Sequence, residues 1–212
     1  MKTILAFGDS LTWGFQAGTW LRHDFADRWP NVLGAGLGQG FRVVEEGTNG
    51  RTTAYDDLTD GAELNGARAL PMLLKTHEPL DLVMIMLGTN DIKFVARCRA
   101  FDAAMGMGRL IEIVQHYPFN ENYAAPQILI MSPPALVKTA DEWFNDLWGH
   151  AIEESKKFAH HYARLAKERG VHFFDAGSVA VADPIDGGHL DAANTRAIGA
   201  ALVPVVKTIL AL

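Results

Sequence analysis

Along this chain, short apolar runs alternate with longer stretches in which apolar side chains return every three or four residues. The runs Thr3–Phe7, Arg42–Glu45, Asp81–Leu87, Gln127–Met131 and Val171–Phe174 have the character of strands buried on both faces. Between them, helices are predicted over Arg28–Leu37, Gly66–His77, Phe101–Tyr117 and Asp141–Arg169, with a last one from Asp191 to Leu212. The fourth is the most regular: Phe144, Leu147, Trp148, Ala151, Ile152, Ser155 and Phe158 trace one apolar stripe. Gly170 stands where a helix C-cap belongs, and Gly149 is a point at which the long stretch can break. In the last helix Asp191 takes the N-cap place and Pro204 marks a site for a kink.

Strand then helix, five times over, predicts an α/β fold whose parallel sheet is covered by helices on both faces. Ligands of such sheets sit at the carboxyl ends of the strands. Residues with chemistry to offer should therefore follow strands, and here they do. Gly8-Asp9-Ser10-Leu11 follows the first run and Glu46-Gly47-Thr48-Asn49-Gly50-Arg51-Thr52-Thr53 the second. Gly88-Thr89-Asn90-Asp91 follows the third, and Asp186-Gly187-Gly188-His189 lies a short loop beyond the fifth.

Together these segments hold what acyl transfer needs. A serine hydroxyl is a weak nucleophile unless a base takes its proton, which is the part for His189 acting on Ser10. An acid on the other ring nitrogen fixes the tautomer, and Asp186 stands three residues away. Negative charge developing on a carbonyl oxygen needs waiting donors: the backbone N–H of Ser10 and Gly50 and the side-chain amide of Asn90.

These four segments resemble the blocks of the Ser-Gly-Asn-His (GDSL-type) hydrolase superfamily, matched by Ser10, Gly50, Asn90 and His189 with Asp186 completing a DxxH element. Glu45-Glu46-Gly47, Arg51-Thr52-Thr53, Leu80-Asp81-Leu82-Val83 and Met86-Leu87-Gly88-Thr89-Asn90-Asp91 resemble its bacterial arylesterase and acyltransferase branch. The resemblance implies a flavodoxin-like, three-layer α/β/α fold with a five-stranded parallel sheet. It also implies ester hydrolysis without metal or organic cofactor, a small-molecule ester as substrate, transfer of acyl groups to alcohols, and a homo-oligomer. Loops such as Asp56–Asn65 would then narrow the site entrance in the assembly. Asn49 departs from the pattern, where a small or hydroxyl residue is expected before the glycine.

Composition alters this picture little. The 212 residues are most simply one domain, 49% hydrophobic and 21% charged, as in ordinary globular chains. A formal net charge of −6, without a basic run, argues against nucleic acid or an anionic membrane surface as partner. The apolar run after Met1-Lys2-Thr3 is too short for a signal peptide or a bilayer span, so a cytoplasmic protein is expected. The single cysteine, Cys98, forms no internal disulfide. Its flanks Arg97 and Arg99 would lower a thiol pKa, although an ordinary free thiol is the plainer reading.

Other features read more simply. Asp9 and Asp91 are placed as carboxylates that hold loops by backbone hydrogen bonds. Trp13, Phe15, Phe144 and Trp148 are candidates to line a substrate pocket or to be plain core, and Lys93 to reach its rim or to be merely solvated. Gly36-Leu37-Gly38-Gln39-Gly40 precedes a strand and lacks phosphate-loop spacing, so a helix end and turn explain it. His160 and His161 are adjacent on one helix and cannot share a metal from one face. Carbohydrate deacetylase, thioesterase and lysophospholipase chemistry all use the same machinery. A binding module with a decayed site is the alternative outside enzymes.

Overall fold

The computed structural model describes residues 1–93, 95–96 and 98–211. Five strands, β1 (Lys2–Gly8), β2 (Phe41–Gly47), β3 (Leu82–Met86), β4 (Gln127–Ser132) and β5 (His172–Asp175), form one parallel sheet in the order β2-β1-β3-β4-β5. Successive side chains on a strand point to opposite faces, and both faces are dry along most of β1, β3 and β4. The outer strands β2 and β5, expected to be buried on both faces, are only half-buried because each has a sheet neighbour on one side alone. Ile4 and Ala6 of β1 with Leu82, Met84 and Met86 of β3 meet α2 (Trp29–Leu37) and α8 (Ala192–Ile209) through Trp29, Leu33, Ile198, Leu202 and Val206. Leu5, Phe7, Val83 and Ile85 face the other way, onto α3 (Gly66–His77), α4 (Ala100–His116) and α7 (Phe158–Arg169). The expected three-layer α/β/α arrangement is what forms.

Local signals largely hold. Asp191 caps α8 by accepting the Asn194 N–H at 2.7 Å, and Gly170 ends α7 in the left-handed region at φ +65°. α8 runs through Pro204 to Ile209, and Leu212 lies outside the described residues. The predicted long helix Asp141–Arg169 is in fact three helices. These are α5 (Glu142–Trp148), α6 (Ile152–Ser155) and α7, with a 3₁₀ turn at Gly149–Ala151. Glycine is a poor helix former, and the Ser155 hydroxyl bonds back to the Ile152 carbonyl at 2.7 Å while accepting the Leu136 N–H at 2.9 Å. The apolar stripe survives the breaks because each piece turns its face inward. Among the described residues no helix is long and apolar enough to cross a membrane.

The short helix α1 (Ser10–Trp13), which the apolar pattern does not predict, lies across the end of β2. Gly47 makes that approach possible: a Cβ there would stand 2.2 Å from the Trp13 nitrogen and 2.6 Å from its Cα. Main chain cannot yield as a side-chain tip can. Gly47→Ala is therefore expected to cost about 1–3 kcal/mol, read from urea unfolding midpoints against the parent chain.

Candidate active site

The strand order reverses between β1 and β3, so the chains leaving these two strands emerge side by side. Gly8 pairs with Met86 at the last rung. Beyond it, Asp9 caps α1 by accepting the Leu11 N–H at 2.9 Å, and Ser10 opens the helix. Beyond β3, Asn90 donates its amide to the Arg51 carbonyl at 3.0 Å and to the Asp9 carboxylate at 3.3 Å. Gly50, on the turn after β2, has φ +83°, a conformation that favours glycine. Arg51 anchors that turn from beneath. Its buried guanidinium donates to the Gly8 carbonyl at 2.8 Å and to Thr48 Oγ1 at 2.7 Å, and lies 4.3 Å over the Phe7 ring.

The fourth segment turns back between β5 and α8. Asp186 Oδ1 accepts the N–H groups of Gly188 at 3.0 Å and His189 at 2.9 Å. Its Oδ2 accepts from His189 Nδ1 at 2.8 Å, which leaves Nε2 of the neutral ring to accept from Ser10 Oγ at 2.9 Å. All three residues are buried. The loop is tied to the segment after α1 by a bridge between Gln16 and Leu190, and by His23 Nε2 donating to the Leu190 carbonyl at 2.9 Å.

Burial sets the electrostatics. For Asp186, burial pushes the pKa up but is outweighed by the bonds from His189 and the backbone, so the carboxyl stays below its usual range. Asp9 and Asp91 go the other way. Burial raises Asp9 to about 6 despite the Leu11 bond, and Asp91 to about 7 despite bonds from Thr53. Both do hold loops, as expected of them. The Arg51 pKa falls to about 10, again through burial.

Ser10, Gly50, Asn90 and His189 open onto one cavity of about 260 Å³. Around His189 its wall is aromatic: Phe15 stacks on the imidazole at 4.1 Å, and Phe144 and Trp148 each meet it edge-on at 5.7 Å. Beside Gly50 the wall combines the Leu64 side chain, 3.1 Å from where a Gly50 Cβ would stand, with polar groups. Lys93 Nζ lies 3.7 Å from where a Gly50 Cβ would stand and 3.5 Å from Asp57, with Asn49, Thr59 and Asp60 also on the lining.

The sequence reading thus has Phe15, Phe144, Trp148 and Lys93 on the cavity, while Trp13 needs correcting. Gly14 at φ +91° turns the chain so that Phe15 returns to His189, and Trp13 stays off the lining, under the Arg22 guanidinium at 4.9 Å. Asp57, Thr59, Asp60 and Leu64 of the 56–65 loop line the cavity of their own chain, without an assembly. Trp20, Leu147 and Trp143 on the lining went unread, as did the structural part played by Arg51. The Cys98 thiol is pushed up to about 11 by burial, with Asp91 and Asp102 adding to the effect, so it is not an activated thiol. Of its two flanks, Arg99 pairs with Asp102 and Arg97 lies outside the described residues.

Residues 6–197 match the model of the GDSL-like lipase/acylhydrolase family. Among solved structures, the chain is similar to a carbohydrate acetylesterase family member from Sinorhizobium meliloti, with TM-score 0.98 and 49% identity over 100% of both chains. A second carbohydrate acetylesterase from that organism matches at TM-score 0.94 and 40% identity, over 99% of this chain and 100% of that one. The M. smegmatis aryl esterase matches at TM-score 0.94 and 43% identity, over the same shares. No curated protein matches the chain.

The raised Asp91 pKa has a testable consequence. Unfolded, the carboxyl ionises near 3.8; folded, near 7. Between those values the folded state holds the extra proton, so this residue's contribution to stability is lost as pH rises through the window. Relative to the parent, Asp91→Asn should therefore gain stability on going from pH 5 to pH 8, as measured by urea unfolding at each pH.

Proposed function

The chain belongs to the GDSL-like lipase/acylhydrolase family, and on that premise we propose that it hydrolyses small carboxylic esters through an acyl-enzyme on Ser10. Its class, a carboxylic ester hydrolase, follows from that membership and from its esterase neighbours. The observation that carries the proposed chemistry is the continuous hydrogen-bonded line from Ser10 Oγ through His189 to Asp186, at 2.9 and 2.8 Å, at the wall of a cavity.

His189 takes the hydroxyl proton as Ser10 attacks the ester carbonyl, and Asp186 stabilises the resulting imidazolium. The N–H groups of Ser10 and Gly50 receive the oxyanion, joined by the Asn90 amide as it turns one hydrogen away from its long 3.3 Å bond to the Asp9 carboxylate. Collapse breaks the bond to the alcohol, which leaves with the proton from His189. Water then repeats the sequence on the acyl-enzyme and frees the acid. Transfer to an alcohol instead of water is part of the proposal. It is supported by the aromatic wall at His189, where an apolar nucleophile competes well with water.

A carbohydrate ester is a second reading of the same site, favoured by a specific feature. The aromatic wall at His189 and the polar wall of Asp57, Thr59, Asp60 and Lys93 suit a substrate with an apolar face and an oxygenated edge. Thioesters and lysolipids are separated from these by rates on acyl-CoA and lysolipid beside aryl acetate. Assembly into a homo-oligomer is also proposed, on the apolar side chains Leu58 and Trp143, 84% and 68% exposed. A cytoplasmic setting is supported by the single, unpaired Cys98.

Ser10→Ala is expected to abolish both turnover of an aryl acetate and labelling by a fluorophosphonate; wild-type activity in that variant would sink the assignment. Asn90→Ala is expected to lower kcat about 10²–10³-fold with little change in KM, measured by steady-state kinetics.

A further inference from the structure

We propose that Trp20 is a specificity-determining residue, its indole face receiving a ring in the alcohol portion of the ester. The inference rests on the esterase reading above. In that chemistry His189 hands its proton to the departing alkoxide, so the alcohol leaves on the His189 side, while the carbonyl oxygen faces Gly50 and Asn90. The aromatic patch is built on that same side. Phe15 stacks on His189 at 4.1 Å, Trp20 meets Phe15 edge-on at 5.6 Å, and Trp20 and Phe144 lie 5.7 Å apart. The rings run without interruption from the base to Trp20 at the cavity mouth.

Two costs are carried at this one position. The indole lines the cavity yet is 65% exposed, a large apolar surface left in water. Its backbone has φ +58°, a region that non-glycine residues seldom occupy and that tends to mark functional sites. The loop is nonetheless well closed beneath it. Gln16 N–H donates to the Leu21 carbonyl at 2.9 Å, Leu21 N–H donates to Thr19 Oγ1 at 3.2 Å, and Phe15 bridges Arg22. Trp20 is thus held out at the tip of a fixed loop, where core packing gains little from it. A ring lying on its face removes the exposed surface from water and adds a stacking contact. An aryl group and a pyranose each present such an apolar face.

The test compares kcat/KM for phenyl acetate, an acetylated methyl glucopyranoside and ethyl acetate in the parent, Trp20→Ala, Trp20→Phe and Trp20→Gly. In Trp20→Ala the ratio of a ring ester to ethyl acetate should fall about tenfold, through KM, and Trp20→Phe should restore most of it. A fall confined to phenyl acetate identifies an aryl alcohol; one confined to the glucoside identifies a sugar. Trp20→Gly relieves the backbone, so the ratio should fall while Tm does not, which separates a lost indole from a lost loop. Ratios unchanged to within about twofold for both ring esters in Trp20→Ala would overturn the proposal. Fluorophosphonate labelling of the parent keeps the two readings apart. Labelled Ser10 with unchanged ratios removes only the Trp20 assignment, whereas no labelling and no turnover of any ester removes the esterase reading beneath it.

Discussion

The pairing of β1 with β3, closed at the rung Gly8–Met86, is the constraint from which the site follows. Had β1 paired with β2 alone, Ser10 and Asn90 would emerge on unrelated edges. With β3 as its other neighbour, the chain after β1 and the chain after β3 leave the sheet a strand's width apart. That is close enough for Asn90 to reach Asp9 and the Arg51 carbonyl. The third exit, after β2, is held down by a guanidinium that bonds the Gly8 carbonyl across to the neighbouring strand. Ser10, Gly50 and Asn90 thus inherit their spacing from the sheet, and a handful of buried polar bonds only trims it.

Those bonds are costly to maintain. Asp9, Asp91 and Arg51 are buried charges or near-charges, and each departs from its ordinary pKa because water has been removed. Asp186 meets the same cost with enough donors to remain ionised. The contrast between these carboxyls separates their parts. Asp186 keeps its charge beside the His189 imidazole. Asp9 and Asp91 act as acceptors for backbone and hydroxyl donors, and a proton on either can be tolerated.

Much of this was legible in the residues. Apolar runs located the sheet because strands buried on both faces leave an unbroken signature, and the exits of those runs located Ser10, Gly50, Asn90 and the Asp186–His189 pair. Helix ends were read well where chemistry marks them, at Gly170 and Asp191. Gly149 likewise marked the break between α5 and α6, whereas the one between α6 and α7 went unmarked, since an apolar stripe keeps its period when a helix breaks and re-aims. Trp13 misled because closeness to Ser10 in sequence says nothing about the turn that Gly14 imposes. Trp20 was missed for the opposite reason. A tryptophan in a loop carries no period, and only the ring contacts at Phe15 and Phe144 reveal where it stands.

The hydrogen bond between Ser10 and His189 spans 179 residues of chain. Contacts of such separation form only after the loop they close has given up its conformational freedom. Their hold on each other is reinforced nearby by the Gln16–Leu190 bridge and the His23 bond to the Leu190 carbonyl. Ser10 and His189 therefore meet only when the segment that follows the first strand and the loop that precedes the last helix have come together. A chain still emerging from synthesis, with the loop that carries His189 not yet in place, holds Ser10 without its imidazole partner. That bond arrives late, as a report that the two ends of the chain have closed on each other.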